Sequence, residues 1–355
     1  MLWGMQRART IIRVAGAALV LSAGLVAGCG GGDKPGEPRA QDLKAPSAPL
    51  PPAQRNIALD PALLARAEPI VRQGAADQDP LRRVNAVEAT EHLPHESAVE
   101  ILGQRLEDED PRVRFAAAMA AGRQRLAELR QLIEPMLEGD SPNGRIAAVF
   151  AMHRFGDTTW SKRLEDYAQS PDAIVRANTA VALGLLGEPT AARVLRAMQE
   201  DPDANVRLNA ADALWRLRDQ GGYEALLAAS ISGFNDDRVI GTMGLGAPGD
   251  PRAEAALIGK LTDLYAEVRL AAARGLGELG SDRGYAVAAE YLDDRDARRR
   301  AMAALALGEI GRTDAQPKLR PLLEDKHPYV RLAAATAVLQ IAQHAEQSEA
   351  ADARR

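Results

Sequence analysis

Cysteine is almost missing from this 355-residue chain: it occurs once, at Cys29, so neither an intrachain disulfide nor a thiolate metal cluster can form. Aromatic residues are scarce at 4%, while hydrophobic residues as a whole reach 46% and are mostly Ala and Leu. That balance disfavours a β-sandwich, which draws on β-branched and aromatic side chains, and favours closely packed helices. A basic excess is also lacking. The formal net charge is -5, and without residues 1–28 the chain carries 41 basic against 49 acidic residues. Nucleic acid is therefore not expected as a partner, because phosphate binding needs a basic footprint.

The first 28 residues hold Arg7, Arg9 and Arg13, no acidic residue, and an uncharged apolar run from Val14 to Ala27. This is a basic region followed by an apolar stretch of signal-peptide length, shorter than the ~18 residues of a spanning helix. It ends Leu25-Val26-Ala27-Gly28-Cys29, and small residues before a lone cysteine resemble the bacterial lipobox. The resemblance implies cleavage before Cys29 and lipidation on it. Acyl chains bring about 0.8 kcal/mol per buried methylene, so two or three anchor firmly. Gly30, where an Asp would favour inner-membrane retention, points to the periplasmic side of an outer membrane if the cell has one. Residues 29–56, rich in Gly, Pro and Ala, read as a tether.

From residue 77 the chain repeats. Arg83, Arg114, Arg145, Arg176, Arg207, Arg238, Arg269, Arg300 and Arg331 stand 31 residues apart without an insertion. Three residues after each comes a small side chain, from Ala86 and Ala117 to Ala334. Seven after come Met152, Leu183, Leu214, Leu245, Leu276, Leu307 and Val338, with Thr90 and Ala121 as exceptions. Those offsets lie on one stripe of a helix. A second apolar column, 19 after the Arg (Leu102, Ile133, Leu164, Leu195, Leu226, Leu257, Ala288, Leu319), lies beyond a turn such as Gly187-Glu188-Pro189 and so belongs to a second helix. Each unit is expected to be two helices of roughly 10–14 residues. Asp79-Pro80, Asp110-Pro111 and Ser141-Pro142 are helix-start signals, and Asp172, Asp203 and Asp296 continue that column. Another acidic column, six before the Arg, holds Asp77, Asp108, Asp201, Asp263, Asp294 and Asp325.

The stretches "DEDPRVRFAAAMAAG" and "DLYAEVRLAAARGLGELG" resemble HEAT repeats of the phycobilisome-lyase type. The resemblance covers residues 77–343 and implies an all-α, right-handed solenoid of about nine two-helix units. It also implies that the Asp and Arg columns form a hydrogen-bonded ladder, the competing reading of nine aligned arginines being an anion-binding stripe. A capping helix is expected within 57–76, and residues 344–355 form a polar tail expected to fray.

Family relatives include bilin lyases and a di-iron hydroxylase that uses several His-Glu pairs. Only His95-Glu96 has that form here, and Pro94 breaks the spacing between His92 and His95 that two ligands on a helix would need. No catalytic, cofactor or metal site is assigned, and a binding protein rather than an enzyme is expected. The face presented five and eight residues after each Arg offers Met119, Phe150 and Val181, with His153 and Trp215, as a candidate partner groove; the competing reading is that they are core. The sixth unit departs from the pattern, with Ser232 and Phe234 in acidic columns and Gly241, Gly244 and Gly246 in one helix, and is a candidate hinge. The functional expectation is a lipid-anchored scaffold for a protein partner. The alternatives are an accessory subunit or enzyme of the lyase and hydroxylase group, or a purely structural envelope lipoprotein.

Overall fold

The structure, a computed structural model, describes residues 57–352. The signal segment, Cys29 and the tether lie outside the described residues, as do positions 353–355.

Every regular element among the described residues is helical. The Arg-bearing helices run Pro80–Ala89, Pro111–Gln124, Pro142–Arg154, Ala173–Leu186, Ala204–Arg216, Asn235–Gly246, Ala266–Glu278, Ala297–Ile310 and Pro328–Asp352. Asp60, Asp79, Asp110, Ser141, Asp172, Asp203 and Asp296 each accept a first-turn N–H, the bond that makes Asp and Ser good helix starters. Most of the helices that follow are shorter than the sequence suggested, His95–Leu106 with 12 residues and Gln220–Ala229 with 10 excepted. Arg163–Tyr167 has 5 residues, and the second and eighth units continue as 3-10 turns at Glu134–Glu138 and Arg320–Glu324. Pro135 and Pro321 supply no N–H there, which suits the tighter turn.

The Arg-bearing helices are buried on every side. In the second unit each residue from Phe115 to Gly122 is buried, and in the seventh each from Ala266 to Gly277. They form an inner layer and the short helices an outer one. An inner layer of a curved array has less circumference per unit, so its side chains must be small, and this is where the alanines stand.

A glycine column sharpens the same requirement. Eight residues after the Arg stand Gly122, Gly184, Gly246, Gly277 and Gly308. A Cβ at Gly184 would lie 2.7 Å from the Cα of Ala213, and one at Gly246 would lie 2.7 Å from the Cα of Gly275. Those atoms belong to the next inner helix, so helix backbones touch here and only glycine fits.

The array closes on itself. The N-terminal helix, Pro61–Ala75, packs on the C-terminal helix, and Leu63, Ala67 and Val71 share a core with Leu332, Ala335 and Leu339. Val71 stands 31 residues before Leu102, so it belongs to the outer-helix column. The helix expected as a cap is therefore the outer helix of the ninth unit, whose inner helix begins at Pro328. Its buried stripe replaces the polar outer side a cap would need. Polar pairs finish the seam: the Ile57 N–H donates to Thr313 Oγ1 at 2.7 Å, the Asp60 N–H to Gln316 Oε1 at 2.8 Å, and Arg66 pairs with Glu324 at 2.7 Å. Arg320 pairs with Asp60, and His92 Nδ1 lies 2.8 Å from Gln343 Oε1. The C-terminal tail departs from expectation too, since the last helix continues to Asp352.

Candidate functional site

Eight of the nine arginines bond to backbone or to a neighbouring unit. Arg83, Arg114, Arg176, Arg207, Arg269, Arg300 and Arg331 each donate from Nη1 to the carbonyl six residues earlier, over 2.6–2.9 Å, closing the turn that leads into their own helix. At four positions the guanidinium also reaches the Asp 25 residues on: Arg83 to Asp108, Arg176 to Asp201, Arg238 to Asp263 and Arg300 to Asp325. These carboxylates in turn accept the N–H two residues further along. The Arg176 guanidinium holds the Asp201 carboxyl below the usual range. Arg269 meets the Tyr291 hydroxyl instead. At Arg145 the partner columns hold Gly139 and Ser170, and its buried Nε has no partner. Guanidinium groups engaged this way form a hydrogen-bonded ladder between successive units.

The candidate groove is not a surface. Met119 and Phe150 are 0% exposed and Val181 is 3% exposed. Phe150 packs on Gly122, where a Cβ would come within 2.8 Å of its ring. Trp215 is buried, donates from Nε1 to the Leu245 carbonyl at 2.9 Å, and lies under the Arg252 guanidinium. His153 is half-buried, with Nδ1 2.8 Å from Ser161 Oγ. The expectation treated the inward face as an open concave wall; closure of the ring turns it into interior. The position eight after the Arg is also not inward but faces the next helix.

The inward face holds the positions two, five and nine after each Arg, and on part of the ring these are charged. Asp212 pairs with Arg216 at 3.0 Å and Glu309 with Arg274 at 3.4 Å, and Gln340 donates to Glu309 at 3.3 Å. Both arginines being engaged, Glu278 is left beside them without an ion pair among the described residues, and burial together with the nearby Glu309 carboxylate pushes its carboxyl up to about 8. Across the ring, Glu88 pairs with Arg123, and burial pushes its carboxyl upward as well. Burial lowers the pKa of His92. Among the described residues no group of His, Cys, Asp and Glu could hold a metal ion. His95 is exposed and sits 3.0 Å from Glu128.

Between the turns at Gly249–Glu254 and Leu279–Arg283 lies an open cleft of about 560 Å³. Its polar groups serve one another: Ser281 donates to Glu254 at 3.1 Å, and Arg283 lies 3.7 Å from the same carboxylate.

The sixth unit is tightly packed rather than loose. A Cβ at Gly241 would lie 2.6 Å from the Ser230 nitrogen, and one at Gly244 would lie 2.9 Å from Leu226 Cδ2. Its glycines admit close neighbours, which removes the reason to regard it as a hinge. What distinguishes the unit is its rim turn. Ile231 is 69% exposed and Phe234 is 66% exposed, and Leu264 is exposed on the following turn. Phe234 occupies the cap position without making a capping bond. Sequence reasoning noted Phe234 as a lost cap; the exposure of Ile231 beside it depended on how the turn folds.

A family model for HEAT repeats matches residues 68–142, 129–215, 223–308 and 285–353. Among solved structures, the complex of CpcE and CpcF of phycocyanin lyase from Nostoc sp. PCC7120 is 22% identical over 68% of this chain and 97% of that chain, with a TM-score of 0.42. Human deoxyhypusine hydroxylase in complex with glycerol is 20% identical over 79% of this chain and 98% of that chain, with a TM-score of 0.35. The karyopherin Kap121p bound to the extreme C-terminus of the protein phosphatase Cdc14p is 15% identical over 81% of this chain and 38% of that chain, with a TM-score of 0.36. No curated protein matches. With the 31-residue period, the stacked helix pairs and a family match over most of its length, the chain belongs to the HEAT-repeat family.

Proposed function

We propose that the protein is a binding scaffold, a closed ring of HEAT units held at the cell envelope through lipidated Cys29, which engages a protein partner at its rim. The observation that carries this reading is the turn of the sixth unit, where Ile231 and Phe234 are exposed at a position that polar residues hold in most other units. Large apolar side chains cost solubility unless a partner covers them. Placing Phe at a cap also gives up ~1 kcal/mol of helix stability. Met119, Phe150 and Val181 are buried, so they offer a partner no groove.

Two measurements test it. A photo-cross-linking amino acid placed at Phe234 of the full chain in cells should give one discrete protein adduct that is absent when it is placed at Glu128, on the outer layer. Adducts of equal pattern at both positions would remove the rim from the reading. Separately, Cys29→Ser should release the protein from the membrane pellet; retention there would remove the lipid anchor.

A further inference from the structure

The scaffold reading leaves open the chemistry of the partner, and the rim itself bears on it. We infer that the sixth-unit rim docks a protein segment in which an apolar side chain is flanked by lysine or arginine; this rests on the scaffold reading above. The apolar part is Ile231, Phe234 and Leu264, on consecutive turns. The neighbouring carboxylates are Glu200 on the preceding turn and Asp236 and Asp237, two and three residues after Phe234; among the described residues none of the three forms an ion pair, and Asp237 accepts only from Ser232 Oγ at 3.3 Å. Several acids of the neighbouring turns are engaged. Glu267, at the position equivalent to Asp236 in the seventh unit, pairs with Arg299 at 2.9 Å, and Asp201, Asp263 and Asp325 are taken by the arginine ladder.

One acid at the start of a helix is ordinary, since it offsets the positive end of the helix dipole. Two adjacent acids beside an exposed aromatic, in the one Asp-lacking turn that also exposes an isoleucine, go beyond that need. Complementary charge then selects the occupant. An anionic bilayer would be repelled by Glu200, Asp236 and Asp237, and a second copy of the chain would bring the same acids against themselves. A segment carrying a Leu, Ile or Phe between basic residues satisfies both halves of the patch. Phe234 is the anchor, in keeping with the weight aromatic residues carry at interfaces.

The experiment uses the detergent-solubilised full chain, immobilised, and two displayed libraries of short peptides. In one, Leu, Ile or Phe is flanked by Lys or Arg; in the other the flanks are Glu. Wild type should enrich the basic library at least about tenfold over the acidic one. Phe234→Asp should lower that enrichment about tenfold while raising the melting temperature, because it restores the cap held by Asp172, Asp203 and Asp296. Asp236→Asn with Asp237→Asn should weaken binding severalfold and flatten its salt dependence. Equal enrichment of both libraries overturns the inference, as does basic-library binding that survives Phe234→Asp. Transfer of Phe234-dependent binding to phosphatidylglycerol vesicles, or Phe234-dependent self-association in sedimentation, would replace the occupant and so overturn it too. A discrete adduct at Phe234 with no preference for the basic library would sink the basic segment while leaving the scaffold standing. Absence of the adduct would sink the scaffold.

Discussion

The hydroxyl of Tyr329, at the start of the last inner helix, donates to the carboxylate of Asp79, the cap of the first. The guanidinium of Arg82 lies over the same tyrosine ring, 5.7 Å from its centre. Residues 250 apart in sequence thus meet as neighbours in the array. The contact exists because the N-terminal helix supplies the ninth outer helix, so the seam is built like the other unit boundaries rather than like two capped ends.

Removing the apolar stripe of that helix should therefore open the ring. Val71 is 0% exposed, and Val71→Asp places a carboxylate in that core. A loss of roughly 3 kcal/mol or more is expected. Small-angle scattering should show a larger radius of gyration for the variant than for wild type. An unchanged radius and melting temperature would mean the helix is not part of the closure.

Gly184→Ala should destabilise the protein although alanine is the better helix former by about 1 kcal/mol. The new methyl would sit 2.7 Å from the Ala213 Cα, and backbone cannot rotate away as a side chain can. A net cost of ~1–3 kcal/mol follows from overpacking. Denaturant unfolding measures it, and a gain in stability would refute the backbone contact.

Phe150→Asp should behave as a core substitution. The ring is fully buried against Gly122, so the variant should lose its cooperative thermal transition or melt far lower. A well-folded variant with wild-type melting would restore the inward face as a surface.

Glu278→Gln should alter how stability depends on pH. In the folded ring this carboxyl titrates at about 8, above its ordinary value of 4.5, so between those limits the folded state holds a proton that the unfolded state has released. Stability from this group is present at low pH and is lost as pH rises towards 8, by at most ~1.4 kcal/mol per unit. Glu88 acts in the same direction, whereas His92, lowered by burial, acts oppositely below its ordinary value of 6.5. The window from 6.5 to 8 is therefore the informative one. Denaturation curves there should fall more steeply with pH for wild type than for Glu278→Gln, and equal slopes would place Glu278 in water.

The period of 31 made the fold legible, because Arg, Ala and Leu recur at fixed offsets and each offset names a helix face. The capping acids at Asp79, Asp110 and Asp172 were legible for the same reason: their work is local. Closure was not. Nothing in residues 61–75 says that their apolar stripe will meet residues 328–343 rather than stand alone, since the pattern identifies a stripe without identifying its partner. For that reason Met119, Phe150 and Val181 fit either a groove or core from sequence alone, and their burial decides for core. The glycine column at Gly122, Gly184 and Gly246 is visible in the sequence as a small residue at a constant offset, but offset alone does not say whether a glycine loosens a helix or admits a neighbouring backbone.

The seam also sets an order of events during synthesis. The helix at Pro61–Ala75 emerges early, while its mate at Pro328–Asp352 comes last, so its apolar stripe must wait through nearly the whole chain before it is covered. Eight units can stack as they appear, each on its predecessor, but the ninth assembles only once both ends exist. Until then two sticky edges face outward. A nascent chain stalled anywhere before Pro328–Asp352 would carry them both, and that helix is the one that covers the waiting stripe of Pro61–Ala75.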